Sequence, residues 1–371
     1  MILKKLNLTH FRNYNKENIV FKPGTNILFG KNGQGKTNIL ESIYYLSLTK
    51  SFRTNTEQNL ILNTEDFFRI QGQFLNEQDR EMDVSIAYSP TDGKRLTYNN
   101  QRVLKFSDYI GQIPIVLLAP SDLEISQGGP YRRRQFLDIM LSQASQLYLH
   151  HQLQFRRALK QRNQLLQEEN VYHDVLNSWD EALVQQGTLV IEKRLEAIEK
   201  LDSIVKEYYK LLSGTEDKVK LVYRSSFPLK DAEDIAIAFR NILFKQREKD
   251  LQLKTTTIGP HRDDILFLIN GKALRWVGSQ GEHKTFIISL KMAEYQFLRN
   301  IQHRLPLLLF DDIFGELDAG RITNMISTLS EIGQVFITTT SPYFWGKIKS
   351  WEGNTSFYEI ESGRIREAET V

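Results

Sequence analysis

The chain has 371 residues, carries a formal net charge of +3 and is 41% hydrophobic. Its length exceeds the roughly 250–300 residues at which one hydrophobic core stops growing, so the sequence predicts two lobes. It contains no cysteine, which excludes disulfides, cysteine-ligated zinc and cysteine nucleophiles and is typical of a cytoplasmic protein. No apolar run approaches the roughly 20 residues that span a bilayer, so we expect no membrane partner.

The first 120 residues carry the pattern of β-strands. Residues 2–9, 19–21 and 26–29 form short apolar or alternating runs, which predict strands. Short alternating segments separated by turn residues follow up to residue 118, and this pattern favours antiparallel strands.

A glycine-rich loop follows the third of these runs. Residues 30–37 match the phosphate-loop pattern G-x-x-x-x-G-K-[ST] in full, between an apolar strand and a helix-spaced segment. The glycines let backbone N–H groups point at phosphate oxygens, and the helix dipole adds positive potential there. We expect Lys36 to reach the β- and γ-phosphates and Thr37 to bind Mg²⁺. The predicted nucleotide-binding residues here are Gly30, Lys31, Asn32, Gly33, Gln34, Gly35, Lys36, Thr37 and Asn38.

The pattern changes to helical after Pro120. Residues 131–169 and 172–212 are long, glycine-poor stretches with apolar residues three and four apart, and 231–249 continues the pattern. Globular helices are usually shorter than 40 residues, so we expect breaks within the two long stretches. No strict heptad persists, which favours a compact helical lobe over an extended coiled coil.

Strand-like and helical runs alternate from residue 258 onward. Continuous apolar runs at 307–310 and 335–338 are separated by helices, which is typical of a parallel sheet buried on both faces. The sequence therefore predicts an α/β head, a mixed sheet with flanking helices plus an antiparallel β subdomain. We predict that residues 1–120 and 255–371 form this head and that 121–254 form an inserted α-helical lobe.

Two acidic residues end the run at 307–310. Asp311 stands where P-loop enzymes place the magnesium-associated carboxylate, and Asp312 is positioned to polarise the attacking water. The predicted catalytic residues are thus Lys36, Asp311 and Asp312, and the predicted metal ligands are Thr37 and Asp311. The alternative is a pair of turn or helix-capping residues.

A second anion site is predicted at the start of a strongly amphipathic helix. Ser279, Gln280 and Gly281 supply a small hydroxyl and free backbone N–H groups there. Taken alone, Ser279 could be an ordinary helix cap. The order of phosphate loop, Ser-x-Gly helix start and acidic strand end resembles that of ATP-binding-cassette (ABC) ATPases, in which the Ser-x-Gly segment caps the nucleotide of a second subunit.

Two further segments resemble ABC elements. Gly315–Asp318 is similar to the D-loop, which crosses the dimer interface in that family. Thr338–Thr340 ends the next strand where many members carry a switch histidine, so we expect slow hydrolysis with Thr339 as a stand-in. Threonines at a strand end can also be purely structural.

Longer blocks resemble the RecF family of bacterial recombination proteins, which groups with the SMC-type cassette ATPases. They are spread from residue 10 to about 340. The blocks are HFRNY at 10–14, the phosphate loop with its helix, PSDL at 120–123, YRRRQFLD at 131–138, QRN at 161–163, GPHRDD at 259–264, SQGEHKT at 279–285 and LLLFDDIFGELD at 307–318.

This resemblance implies an ATP- and Mg²⁺-dependent homodimer that binds double-stranded DNA and gapped or single-stranded junctions. It implies that RecO and RecR are partners, that RecA is placed at single-strand gaps, and that ATP hydrolysis is weak and DNA-stimulated. By analogy with such heads, Arg12 and Asn13 would approach the nucleotide. One departure is Glu282-His283-Lys284, where the family pattern is richer in glutamine.

Several polar clusters carry a more ordinary interpretation. The basic residues of the helical lobe, Arg132–Arg134, Arg156, Arg157, Lys160 and Arg162, favour a solvated face or ion pairs over DNA contacts. A phosphate-tracking surface formed in a dimer is the alternative. His261 with Asp263 and Asp264 fits a structural turn better than a metal site.

Rival functions predict different features. The ATPase subunit of an ABC transporter would need a membrane partner and is usually shorter, without the helical insertion. A P-loop kinase or GTPase would lack the Ser-x-Gly helix, and the GTPase motif Asn-Lys-x-Asp is missing from the sequence. A clamp in which ATP binding acts and hydrolysis only resets the state is a third possibility.

Overall fold

The computed structural model describes residues 1–170, 172–229, 235–312, 332–340 and 355–368. The chain divides into two compact units. Unit 1 comprises Met1–Asp122, Leu211–Ser213 and Glu294–Val371, and unit 2 comprises Leu123–Lys210 and Gly214–Ala293. Among the described residues, no helix is both long and apolar enough to cross a bilayer.

Strands and helices are numbered here in chain order over the described residues. The strands are β1 (Ile2–Phe11), β2 (Tyr14–Val20), β3 (Thr25–Phe29), β4 (Phe68–Leu75), β5 (Glu81–Ser89), β6 (Gly93–Tyr98), β7 (Gln101–Arg102), β8 (Ile115–Leu118), β9 (Val219–Arg224), β10 (Asp264–Ile269), β11 (Lys272–Ala273), β12 (Leu307–Asp311), β13 (Val335–Thr339), β14 (Thr355–Glu361) and β15 (Arg364–Ala368). The helices are α1 (Lys36–Leu48), α2 (Leu123–Gln127), α3 (Pro130–Ala144), α4 (Gln146–Leu165), α5 (His173–Ser213), α6 (Ile235–Lys245), α7 (Arg247–Leu253), α8 (Leu274–Val277) and α9 (Gln280–Gln302).

A mixed six-stranded sheet forms the centre of unit 1, in the order β15-β14-β3-β13-β12-β8. Its inner strands run parallel, and only β15 pairs antiparallel. Every residue of β8, β12 and β13 is buried, as expected for parallel strands covered on both faces. The prediction that the phosphate-loop half and the C-terminal half build one sheet is confirmed.

A second sheet in unit 1 is antiparallel, in the order β2-β1-β4-β5-β6-β7. In β4 the residues alternate between buried and exposed, which matches the period of two predicted from the sequence. The buried amide of Gln334, the residue before β13, joins the parallel sheet to β1 and to the residue two past the end of β2. Its side chain accepts from the Leu3 amide at 2.6 Å and donates to the carbonyls of Leu3 and Lys22 at 3.0 and 2.9 Å. Its buried polar atoms are thereby paired.

Unit 2 contains the long helices. The predicted helical stretch at 131–169 breaks at Ser145, whose hydroxyl caps α4 by accepting from the Tyr148 amide at 3.2 Å. In contrast, α5 runs unbroken for 41 residues and ends at Gly214, which adopts a left-handed conformation. The expected breaks therefore occur in the first stretch and not in the second. The described part of the third predicted helix, 231–249, is divided between α6 and α7.

Unit 2 also contains a three-stranded antiparallel sheet, in the order β11-β10-β9. The strand β9 was not predicted from the sequence. Because β10 pairs with β9 along its length, and Asp264 accepts a bidentate ion pair from Arg133 at 2.7 and 3.1 Å, residues 255–293 group with unit 2. The predicted domain boundaries assign them to the ATPase head, so the two divisions differ there, while both place a boundary close to residue 120.

Buried ion pairs occupy the core of unit 2. Arg162 is fully buried and donates to Asp180 at 2.6 Å and to Asp250 at 2.7 Å. Asp250 also accepts from the amide and hydroxyl of Thr257, at 3.0 and 2.6 Å. A second cluster joins Asp138 to Tyr148, Gln152 and Arg194.

Four of the basic residues that favour a solvated face or ion pairs do form ion pairs, and Arg134 donates to the Asp263 carbonyl at 2.7 Å. Arg132 pairs with Glu124, Arg133 with Asp264, Arg156 with Asp138, and Arg162 with Asp180 and Asp250. Arg157 and Lys160 are exposed on α4.

Replacing Asp250 with alanine should destabilise the protein strongly. The change leaves the buried Arg162 charge with one carboxylate fewer, and breaking such a pair costs about 3–5 kcal/mol. The exposed bidentate pair of Arg240 and Glu181 provides the control, because Glu181→Ala should cost less than about 1 kcal/mol. Denaturant unfolding of both variants measures the difference. Equal losses would show that the Arg162 cluster adds nothing beyond a surface pair.

The segment His261–Asp264 is held by protein partners. His261 Nε2 lies 3.1 Å from the Thr256 carbonyl, Asp263 accepts from the Tyr223 hydroxyl and from the Ser226 amide at 2.7 Å, and Asp264 binds Arg133. Among the described residues, no group of three or more histidine, cysteine, aspartate or glutamate side chains is placed to hold a metal ion. These contacts agree with the predicted structural role of the turn.

Acid should destabilise the protein through His261. Burial, aided by the positive charges of Arg262, Arg134 and Arg194, lowers the pKa of His261 from about 6.5 to about 4. As the pH falls from 6.5 to 4, His261 is protonated in the unfolded chain but stays neutral in the folded chain. The free energy of unfolding therefore decreases over that window by about 3 kcal/mol. His261→Gln should remove this loss, measured as unfolding free energy against pH. Parallel pH profiles for wild type and variant would contradict the assignment.

Candidate nucleotide-binding site

The glycine-rich loop joins β3 to α1, as the motif predicts. Gly30 follows β3 with a φ of 150°, and a Cβ there would lie 2.3 Å from the Ile360 carbonyl oxygen of β14. Only glycine fits so close to a neighbouring strand. The loop thus leaves the edge of the parallel sheet at the carboxyl end of β3, where open α/β sheets bind ligands.

Lys36, the first residue of α1, is buried, and its side chain folds back into the glycine-rich loop. Its ammonium donates to the carbonyls of Gly30 at 2.6 Å and Lys31 at 2.8 Å. Burial lowers the pKa of Lys36, and the negative charges of Asp312 and Asp311 oppose that shift. The ammonium is therefore positioned inside the loop, paired with carbonyls that an anionic ligand could replace.

Three oxygen-bearing side chains meet at the carboxyl ends of β12 and β13 and the start of α1. The Thr37 hydroxyl donates to Asp311 Oδ1 at 2.8 Å, and the Thr338 hydroxyl donates to the same oxygen at 2.9 Å. Two of these residues, Thr37 and Asp311, are the predicted metal ligands, and the fold brings them together from opposite ends of the chain.

Thr37 and Asp311 form a donor set that fits Mg²⁺. Mg²⁺ prefers oxygen ligands at about 2.0–2.1 Å in octahedral geometry, which places neighbouring ligand oxygens about 2.9 Å apart. The separation of the Thr37 and Asp311 oxygens, 2.8 Å, matches that spacing.

Asp312 turns away from the strand with left-handed backbone geometry, at a φ of 48°. Its amide donates to the Thr338 hydroxyl at 2.9 Å, and its side chain is exposed. The Thr338 hydroxyl therefore links both members of the acidic pair. Thr339, the residue predicted to replace the switch histidine, follows Thr338 in β13. The hydrogen bond to Asp311 is made by Thr338, and the role predicted for Thr339 stays a prediction.

Two hairpin turns contact the tip of the loop. From the β1–β2 turn, Asn13 Nδ2 donates to the Gln34 carbonyl at 2.8 Å, and the buried Tyr14 hydroxyl donates to the Gly35 carbonyl at 3.0 Å. From the β14–β15 turn, the Gly363 amide donates to the Gln34 carbonyl at 3.2 Å and the Ser362 amide to Gln34 Oε1 at 2.6 Å. Asn38 Nδ2 also donates to Asn13 Oδ1, at 2.8 Å.

Arg12 contacts α1 instead of the tip of the loop. Its guanidinium forms a bidentate pair with the buried Glu41 carboxylate at 2.8 and 2.7 Å, and it donates to the Asn59 carbonyl. Arg53 joins Glu41 to Asn38, at 3.5 and 2.7 Å. The nucleotide contact predicted for Arg12 stays a prediction, while Asn13 does touch the loop.

Ser279 caps α9 in unit 2. The Ser279 amide donates to Glu282 Oε2 at 2.6 Å, and the Glu282 amide donates back to the Ser279 hydroxyl at 3.2 Å. This reciprocal pair is a capping box. Gln280 is exposed and Gly281 half-buried at the same helix start, so the second predicted anion site is a capped helix N-terminus in the single chain.

Several contacts at the site were not predicted. The roles of Thr338, Tyr14, Glu41 and the turn at Ser362-Gly363 depend on pairing between distant segments, which a single sequence does not display. The Ser362-Gly363 pair between two alternating runs is a turn signal. It does not indicate that the turn packs against the glycine-rich loop. The predicted D-loop at Gly315–Asp318 lies outside the described residues.

Known proteins resemble this chain over its whole length. Residues 2–358 match the model of the RecF/RecN/SMC N terminal domain family. The "DNA replication and repair protein RecF" of Streptococcus gordonii is 38% identical over 99% of this chain and 100% of its own length. A solved structure of the recombination mediator protein RecF-ATP in the RecFOR pathway is 31% identical and superposes with a TM-score of 0.91, covering 99% of this chain and 97% of that one.

A more distant structure shares the fold alone. An Smc head bound to the C-winged helix domain of ScpA is 16% identical, with a TM-score of 0.57 over 99% of this chain and 97% of that chain. The predicted α/β fold of an ABC-type head is confirmed, as is the predicted resemblance. The chain belongs to the RecF family of ABC-type DNA replication and repair ATPases.

Proposed function

We propose that the protein is an ATP-switched DNA-binding protein of recombinational repair. In this proposal it acts in the cytoplasm, binds ATP with Mg²⁺, closes as a head-to-head homodimer on double-stranded or gapped DNA, and hydrolyses ATP slowly. The observation that carries the proposal is the contact between Thr37 and Asp311 at 2.8 Å, because it pairs the phosphate loop with the acidic strand end. The name and ATP-bound state of the solved relative support it.

Each residue of the site has a defined task in this proposal. The loop amides and Lys36 bind the phosphates, and Thr37 and Asp311 hold Mg²⁺. The metal supplies positive charge that stabilises the transferring phosphoryl group. Asp312, exposed beside the site, orients the attacking water. Thr338 holds Asp311 and Asp312 in a fixed relation through its single hydroxyl.

The partner proposals follow from the relatives. RecO and RecR are the proposed direct partners, because the solved relative is described as a mediator of the RecFOR pathway. RecA is the proposed indirect partner, as the family resemblance implies. Dimerisation is proposed through Ser279, Gln280 and Gly281, which would bind the partner's nucleotide. The capping box at Ser279 would then open when the phosphate arrives.

ATP should double the molar mass of the wild type in solution, because each nucleotide would be shared by two heads. Light scattering with and without ATP and Mg²⁺ measures this. Lys36→Arg and Ser279→Arg should stay monomeric, since the first disturbs phosphate binding and the second blocks the helix start. Ser203→Arg adds the same charge at an exposed serine of α5 and should dimerise normally. A wild type that binds ATP tightly but stays monomeric would reduce Ser279 to a helix cap and overturn the dimer.

Thr338→Val should slow ATP turnover by about tenfold, which corresponds to about 1.4 kcal/mol of transition-state stabilisation. The change removes the hydroxyl that donates to Asp311 and accepts from the Asp312 amide, and a hydrogen bond to a charged group contributes about 1.5–3 kcal/mol. Thr339→Val on the same strand is the matched control and should change turnover by less than about twofold. Steady-state hydrolysis with DNA present compares them. A larger effect at Thr339 would show that Thr339, and not Thr338, takes the place of the switch histidine.

A further inference from the structure

The contacts at the loop tip come from two hairpins far apart in sequence. The β1–β2 turn contributes Asn13 and Tyr14, and the β14–β15 turn contributes Ser362 and Gly363. Asn13, Tyr14 and Gly363 donate to the backbone carbonyls of Gln34 or Gly35, and the Ser362 amide donates to the side-chain Oε1 of Gln34. We call this group of four donors the two-turn clamp.

Peptide geometry gives the two-turn clamp a consequence for phosphate binding. A trans peptide unit points its C=O and its N–H in opposite directions. The Gln34 carbonyl shares a unit with the Gly35 N–H, and the Gly35 carbonyl shares one with the Lys36 N–H. Fixing these carbonyls therefore fixes the direction of two N–H groups at the N-terminus of α1, the end of a helix that binds anions.

Burial and steric fit show that the clamp is a built contact. Tyr14 is fully buried, and burial, aided by the charge of Glu17, raises the pKa of its hydroxyl, so that it stays protonated as a donor. A Cβ on Gly363 would lie 2.5 Å from the Asn13 carbonyl oxygen, and a Cβ on Gly35 would lie 2.7 Å from the Tyr14 hydroxyl. The two turns and the loop touch at distances that admit no extra atom.

We propose that the two-turn clamp is a positioning device that holds the phosphate loop in its binding geometry before nucleotide arrives. The β14–β15 turn thereby acquires a role in setting affinity for a nucleoside triphosphate, although it touches the loop from outside. This inference rests on the proposed binding of ATP by the loop.

Matched pairs of variants isolate the clamp from general stability. Gly363 and Gly271 both follow a left-handed residue in a two-residue hairpin turn, with φ values of 73° and 77°. A Cβ on Gly271 meets nothing within 4 Å. Gly363→Ala and Gly271→Ala therefore carry the same backbone strain, and only the first pushes the turn off Asn13 and the loop.

The tyrosines offer a second pair without a clash. Tyr109 is buried like Tyr14, and its hydroxyl donates to the Leu46 carbonyl of α1 at 2.6 Å. Tyr14→Phe and Tyr109→Phe each remove one buried hydroxyl bonded to a backbone carbonyl, and only Tyr14 belongs to the clamp. This pair keeps the test decisive if Gly363→Ala folds poorly.

The experiment measures two properties of the full chain. Amide hydrogen exchange of residues 30–38 without nucleotide reports how well the loop is ordered, and equilibrium titration gives the Kd for ATP with Mg²⁺. Gly363→Ala and Tyr14→Phe should both speed exchange in the loop. Gly363→Ala should raise the Kd by about tenfold and Tyr14→Phe by about threefold, because N–H donors that point in the wrong direction must be reordered when the nucleotide binds. Gly271→Ala and Tyr109→Phe should leave both properties at the wild-type level. Tyr109→Phe should lower the melting temperature as much as Tyr14→Phe, whereas Gly271→Ala, whose Cβ meets nothing within 4 Å, should lower it less than Gly363→Ala.

The outcomes separate the clamp from the proposed function. If loop exchange and Kd are the same within each matched pair, the clamp has no positioning role and the inference is overturned. If the wild type fails to bind ATP, the proposed function falls, and the exchange comparison still decides whether the turns order the loop.

Discussion

The hydroxyl of Thr37 against the carboxylate of Asp311, at 2.8 Å, is the contact on which the site in unit 1 depends. It exists because β3, β13 and β12 run parallel and in register, so that their carboxyl ends arrive at one edge. The hydrophobic burial of these strands supplies the driving force, and the polar groups at the edge are placed by it. Thr338, at the end of the middle strand, then holds the acidic pair with one side-chain oxygen that donates to Asp311 and accepts from Asp312.

Local chemistry explains which parts of this molecule were predictable. The loop at residues 30–37 and the runs at 307–310 and 335–338 are defined by residues close in sequence, and their patterns predict strand, loop and helix correctly. The helix break at Ser145 and the strand β9 are not predicted from the sequence. A single polar residue within a helical stretch can continue the helix or end it, and six residues of mixed polarity fit a strand or a loop equally well. The contacts of Tyr14, Ser362 and Gly363 with the loop depend on tertiary pairing, which periodicity does not contain.

Unit 2 follows a different rule, because its core contains paired charges as well as apolar side chains. Arg162 and Arg194 are both fully buried and both meet aspartates. Buried ion pairs of this kind contribute little net stability compared with an apolar core. Any arrangement that leaves one of the buried charges unpaired is nevertheless strongly destabilised. A basic, glutamine-rich sequence that suggests a charged surface can therefore encode a specifically packed interior, as Arg133 and Arg162 do here.

The left-handed backbone of Asp312 restricts how this position can be altered. Non-glycine residues at positive φ pay about 1–2 kcal/mol in that region, and aspartate and asparagine tolerate it best. Alanine or glutamate at this position would change the chain's conformation beside Asp311 as well as the chemistry of the side chain. Asparagine keeps both the shape and the conformational preference, so it is the substitution that can separate loss of a charge from loss of a turn.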